Sequence, residues 1–197
     1  MPELPDVTVY VERLGALFEG QRLQGVRVAS PFLLRSVDPP ISAVHGKRLL
    51  ETRRMGKRII LGFEEELFLV IHLMVAGRLR LRKTGSAVPK KGGLAAFDFE
   101  SGAVLFTEVS KKKRASLHVV RGEAGLEAHD RGGYEVLEGD FDGFREALLR
   151  ENRTLKRALT DPRILSGIGN AYSDELLHRA RLSPVKLTSR LEPEELR

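Results

Sequence analysis

From about residue 22 to residue 120 the chain is a succession of short apolar or alternating runs, RLQGVRVAS, RIILGF, LFLVIHLM, RLRLR, AAFDFE, AVLFTEV and SLHVV. Glycines and charged pairs separate them. No other feature constrains the fold as strongly. Such runs are too short for core helices, and a period of two puts one face of each into an interior. Their recurrence with turn signals between them predicts an antiparallel β-sandwich or barrel. The flanks have a different period. Val7, Val11, Leu14, Leu17 and Phe18 fall at helical spacing within residues 4–19, with Asp6 placed to cap or begin that helix. After residue 141, Phe141, Phe144, Leu148 and Leu149 share one face, followed by Leu155, Ala158 and Leu159. Asp161-Pro162 interrupts the pattern, SGIGN (166–170) reads as a glycine-bearing turn, and AYSDELLHRA (171–180) reads as a second helix ended by LSP. The acidic, glycine-bearing stretch 121–140 reads as a loop or linker. The fold class is therefore α+β: an N-terminal helix plus an antiparallel β-sandwich or barrel domain over 1–130, then an α-helical domain over 131–197. The closing LEPEELR reads as the opening turns of a further helix, so the second domain is expected to be incomplete at its C-terminus.

Composition narrows the class of function. The 197 residues are 42% hydrophobic and 30% charged, as in soluble globular proteins. No stretch approaches the roughly 18 to 20 apolar residues of a membrane helix, and the N-terminus lacks the basic and apolar regions of a secretory signal. A cytoplasmic protein with no membrane partner is expected. With no cysteine, disulfides and thiolate zinc sites are excluded within this chain. His45, His72, His118, His129 and His178 show no metal-ligand spacing, so no metal site is assigned. The formal charge is +6, and its distribution says more than its total. Residues 150–190 carry nine Arg or Lys against four Asp or Glu, whereas 121–146 is mostly acidic. Segregated positive charge suits one face on phosphates.

The chain begins MPELPD. A small second residue favours removal of the initiator Met, which would leave Pro2 with a free secondary amine. An α-amino group has a pKa of about 7.7–8.0 against about 10.4 for lysine, so about a tenth of it is unprotonated at neutral pH. A secondary amine condenses with an aldehyde to a cationic iminium, an electron sink for covalent catalysis. Glu3 follows directly and Asp6 is close in sequence, and paired carboxyls can divide acid and base roles. The same acids are also what a helix N-terminus favours electrostatically.

The run LKRALTDPRILSGIGNAYSDELLHRARLSP (155–184) closely resembles the helix–two-turn–helix motif of formamidopyrimidine-DNA glycosylases, and MPELP followed by an acid and a valine resembles the start of that family, in its oxidised-purine branch rather than its endonuclease VIII branch. The resemblance covers nearly the whole chain. It implies a bifunctional base-excision-repair glycosylase and AP lyase that removes formamidopyrimidine and 8-oxoguanine from double-stranded damaged DNA. It implies Pro2 as nucleophile, Glu3 as general acid or base, and Asp6 in place of a more usual glutamate. Lys156 and Asn170 would hold a phosphate, with Gly169 allowing close backbone approach and Tyr172 at a family position. MGKRIILGF makes Lys57 the strand lysine beside the lesion. In IHLMVAGRLRL, the family's Met that fills the space of the flipped base falls at Val75, with Met74 one residue earlier. On a strand that offset reverses a side chain.

Two departures shape the expectations. The family's arginine- and phenylalanine-bearing wedge loop is replaced by LFTEVSKKKRASL, where Lys111, Lys112, Lys113 and Arg114 supply charge for the DNA backbone. Recognition of the opposing cytosine and strict 8-oxoguanine selectivity are therefore not carried over. The family's zinc finger has no counterpart, since its four cysteines are missing here, and no cofactor is expected in this chain. A fragment and a shortened protein are both compatible with that, and either is expected to bind DNA poorly. The reading is of a monomer in the bacterial cytoplasm, associated with the nucleoid. Its alternative is a non-catalytic or lesion-altered DNA-binding relative. A ribosomal or RNA-binding helical hairpin does not account for MPELPD.

Overall fold

The computed structural model of the protein describes residues 2–196. It contains two compact units, Leu4–His129 with Pro2, and residues 130–196 with Glu3.

The first unit opens with helix α1 (Leu4–Phe18), which buries Leu4, Val7, Leu14 and Phe18 along one stripe. Pro5 sits in its first turn, where a missing N–H costs no helical bond. Eight strands follow: β1 (Leu23–Val28), β2 (Leu49–Met55), β3 (Arg58–Phe63), β4 (Leu67–His72), β5 (Gly77–Arg82), β6 (Gly93–Phe99), β7 (Ala103–Glu108) and β8 (Ser116–Arg121). They form two four-stranded antiparallel sheets, ordered β1-β6-β7-β5 and β2-β3-β4-β8. The core lies between them. Ile59, Leu61, Phe63, Leu67, Leu69 and Ile71 from one sheet cluster with Phe97, Phe99, Val104 and Phe106 from the other. These positions alternate along each strand, and each fully buried side chain contributes about 1.5–3 kcal/mol. The Phe18 ring stacks on Phe99 with centroids 4.5 Å apart, which fixes α1 to the sandwich.

The sequence reading is corrected at two places in this unit. No strand was expected at β2, and the stretch after 121 was expected to be loop. It begins instead with helix α2 (Gly122–Glu127), whose Leu126 packs on Ile60, Phe68 and Val70. Those three residues lie on the outer face of their sheet, so β3 and β4 are apolar on both faces and need the cover.

The second unit contains α3 (Phe141–Leu149), α4 (Leu155–Thr160) and α5 (Asn170–Ala180). The Asp140 side chain caps α3 by accepting from Gly143 N at 2.8 Å. Helix α3 buries Ala147 and Leu148 with Phe144 half-buried beside them, whereas Phe141 and Leu149 are exposed. The expected stripe was thus rotated by part of a turn. Leu155, Ala158 and Leu159 of α4 pack with Ile164, Leu165, Ile168 and Leu177 to form the core of this unit. The final residues make a short 3-10 turn, Pro193–Leu196.

Candidate functional site

In the helical unit the site is organised by Glu3. Its side chain is 1% exposed. The carboxylate accepts from the backbone N–H groups of Gly169 (2.8 Å), Ala171 (2.9 Å) and Tyr172 (3.1 Å). These are donors of the first turn of α5, which no helical carbonyl can satisfy, so a carboxylate there gains both hydrogen bonds and the helix dipole. A Cβ on Gly169 would lie 2.4 Å from Glu3 Cδ. Glycine is required at 169 for the approach of Glu3, where the sequence suggested the approach of a phosphate. The backbone donors of Gly169 and Tyr172 are likewise taken up by Glu3.

The Asn170 side chain stays exposed beside them. Lys156 is brought to the same place: its ammonium donates to the Asn170 carbonyl at 2.7 Å and pairs with Asp174 at 2.5 Å. The Tyr172 side chain is 41% exposed. The joint between α4 and the following turn is held by Asp161, which accepts from Arg163 and from Arg153. Hydrogen bonding to Arg163 holds this carboxyl well below the usual carboxylate range, and Arg153 adds to the effect.

In the sandwich unit Pro2 is buried and Asp6 is exposed in the first turn of α1. The free amine depends on loss of Met1, which lies outside the described residues. Lys57 is not on a strand. Met55 pairs with Arg58, so Gly56 and Lys57 form the two-residue turn between β2 and β3. Met74 and Val75 are also off the strands, in the turn between β4 and β5, so strand alternation does not govern their direction. That turn is tight. Gly77 N donates to Leu73 O at 2.9 Å, and a Cβ on Gly77 would stand 2.3 Å from the same oxygen. Met74 takes φ +53° and donates its N–H to His72 Nδ1 at 3.0 Å. Val75 is 53% exposed at the tip.

Lys111, Lys112, Lys113 and Arg114 are exposed in the connection from β7 to β8. Glu108, 1% exposed, shapes that connection. Its two carboxylate oxygens accept from Arg114 N at 3.1 Å each, and one accepts from Ala115 N at 3.3 Å. Lys113 turns back onto the Glu108 carbonyl. The Lys111, Lys112 and Arg114 side chains form no ion pair among the described residues. Sequence reading missed Glu108, which stands three positions before the first of four cations and carries no other signal in the sequence. It also missed His118, whose ring lies 4.6 Å from that of His129. Burial pushes the His118 imidazole below its ordinary range, and His129, Arg58 and Arg35 push it further. Among the described residues no group of three or more His, Cys, Asp or Glu is placed to hold a metal. With no cysteine in the sequence, these residues do not fit the family's four-cysteine zinc site.

Two family models match this arrangement in chain order. Residues 1–115 match the formamidopyrimidine-DNA glycosylase N-terminal domain, and residues 133–197 match the helix–two-turn–helix domain of the same enzymes. The chain belongs to the formamidopyrimidine-DNA glycosylase family. Its whole length aligns with formamidopyrimidine-DNA glycosylases from Heliobacterium modesticaldum, at 34% identity over 74% of that protein, and from Thermus thermophilus, at 35% over 71%. Among solved structures it is similar to the Lactococcus lactis formamidopyrimidine-DNA glycosylase bound non-covalently to DNA containing an abasic site. The TM-score is 0.87 and the identity 25%, covering 98% of this chain and 75% of that one. The α+β fold is thus that of the formamidopyrimidine-DNA glycosylases, and no helix among the described residues is long and apolar enough to cross a membrane.

Proposed function

We propose that the protein is a base-excision-repair DNA glycosylase with an associated AP-lyase step, acting on oxidised purines in double-stranded DNA. The observation that carries this reading is the Pro2-Glu3 start of the chain, with the Glu3 carboxylate seated on three backbone donors at the first turn of α5. Once Met1 is removed, the Pro2 nitrogen attacks C1′ of a nucleotide turned out of the duplex. The new bond joins nitrogen to C1′, the glycosidic bond breaks, and the base leaves with a proton. Opening of the sugar ring gives an iminium between Pro2 and C1′. The iminium acidifies the C2′ proton, whose removal expels the 3′ phosphate, and a second elimination expels the 5′ phosphate. Glu3 assists the proton transfers, with Asp6 as a second carboxyl. Lys57, Lys156 and the Asn170 amide hold phosphates around the lesion, and Gly169 and Tyr172 supply the backbone donors that fix Glu3. Val75, at the family's position for the residue that fills the space the base vacates, and its neighbour Met74 contact the DNA from the turn between β4 and β5. Lys111, Lys112, Lys113 and Arg114 hold the backbone. The protein acts as a monomer in the bacterial cytoplasm.

Borohydride reduces an iminium irreversibly and so tests the chemistry. Purified protein with duplex carrying 8-oxoguanine or an abasic site is expected to give a covalent adduct mapping to Pro2. Replacing Pro2→Gly should reduce base release and strand cleavage severely, and near-normal cleavage by that variant would refute the assignment. One observation favours a second reading. The connection from β7 to β8 carries four cations and no aromatic side chain, as a binding-only relative would. Salt-sensitive DNA binding without any adduct would select that reading.

A further inference from the structure

Strand β5 lies at the edge of its sheet, so every second peptide group along it has no strand to bond. The carbonyls of Gly77 and Leu81 are met instead by the guanidiniums of Arg78 at 2.7 Å and Arg82 at 2.8 Å. Beside this edge lies a cleft of about 300 Å³. Val9, Tyr10 and Leu14 of α1 form one wall, Leu79, Leu81 and Val104 the other, and Arg13 and Arg80 also line it. Val9 is 57% and Leu81 45% exposed, so two large aliphatic side chains are left in water at the cleft. Alternation puts Arg78, Arg80 and Arg82 on one side of the strand, about 6.7 Å apart. All three are exposed, as is Arg13, and none pairs with a carboxylate among the described residues.

Among the described residues, a strand edge with no neighbouring strand, an apolar slot and four guanidiniums without carboxylate partners occur together. A phosphate backbone would use the arginines but leave the slot empty. A basic peptide would be repelled. We propose that this face binds an extended acidic segment of a partner protein. The segment adds as a strand beside β5, seats an apolar side chain in the slot between α1 and β5, and sets Asp or Glu against Arg13 and Arg80. Main-chain bonds then supply affinity, while the slot and the charges supply selectivity.

The test uses the full chain to select from a display library of random peptides, followed by fluorescence anisotropy with a selected peptide. The expected sequences alternate acidic and apolar residues. Arg80→Glu and Leu81→Glu, both at exposed positions, should each weaken binding at least about tenfold while leaving DNA cleavage unchanged. Amide exchange at Leu79 and Leu81 should slow when peptide is bound. Peptides without acidic enrichment, or peptides that bind both variants as tightly as the parent, would overturn the proposal. So would a library yielding no binder while Arg80→Glu weakens binding to undamaged duplex, which would assign the patch to nucleic acid.

Discussion

A methyl group at residue 169 and the Glu3 carboxylate compete for one place, since a Cβ on Gly169 would stand 2.4 Å from Glu3 Cδ. Gly169→Ala is therefore expected to push Glu3 off its three backbone donors and cost about 1–3 kcal/mol, the penalty of leaving buried groups unpaired. The yield of covalent adduct should fall with it. A double-mutant cycle isolates the cause. In the Glu3→Ala background the same methyl meets no carboxylate, so urea unfolding should show Gly169→Ala costing much less there, and strict additivity would count against the coupling. This pair also marks what the sequence could disclose about the site. Pro2, Glu3, Lys156 and Asn170 stand in recognisable strings. Their arrangement does not, because Glu3 meets Gly169 across 166 positions of chain. Asp174, which pairs with Lys156, and buried Glu108 look in the sequence like any other surface acid. The packing of α4 beside α5 gives Asp174 its role, and burial beneath the β7–β8 connection gives Glu108 its own.

At the level of elements, the joint after α4 depends on Asp161. It accepts from the backbone and guanidinium of Arg163 and from Arg153 at 2.8 Å. Because its pKa is depressed in the fold, its contribution is present above the ordinary carboxylate pKa of about 4 and lost as pH falls through the folded value. Asp161→Asn should destabilise the protein by about 1–2 kcal/mol at neutral pH, discounted because Arg163 is largely exposed. Chemical denaturation of both forms should show the gap closing below about pH 4. A constant gap at every pH would leave the charge without a role. The same scale shows why some elements were legible and others not. Strands β3 and β4 are buried on both faces, so their apolar runs stand out. Strand β2 is an edge strand reading LLETRRM, with only Leu49 buried, so its pairing with β3 leaves almost no apolar trace. Helix α2 is six residues long and held through Leu126, too short for a helical period to emerge.

For the molecule as a whole, the formal charge of +6 matters through where it is free to act. Among the described residues, four of the nine cations in the basic segment 150–190 are internally compensated: Arg153 pairs with Glu151 and Asp161, Lys156 with Asp174, Arg163 with Asp161 and Lys186 with Glu195. The β7–β8 connection differs, because the Lys111, Lys112 and Arg114 side chains form no ion pair among the described residues, while Glu108 fixes the loop backbone beneath them. Charges already paired with protein release fewer counterions on meeting DNA than charges that are not. The loop should therefore carry a disproportionate share of the salt dependence of binding. Each phosphate neutralised contributes about 0.9 to the slope of log K against log salt concentration. Replacing Lys111, Lys112 and Arg114 together by alanine is expected to lower that slope by about 1 to 3 on undamaged duplex, weakening binding about equally for all sequences. The exposed side chains leave the fold untouched, so thermal unfolding should not move. A slope unchanged by the triple substitution would remove this loop from the DNA interface and leave the helical unit to hold the backbone with Asn170 and its partly neutralised Lys156.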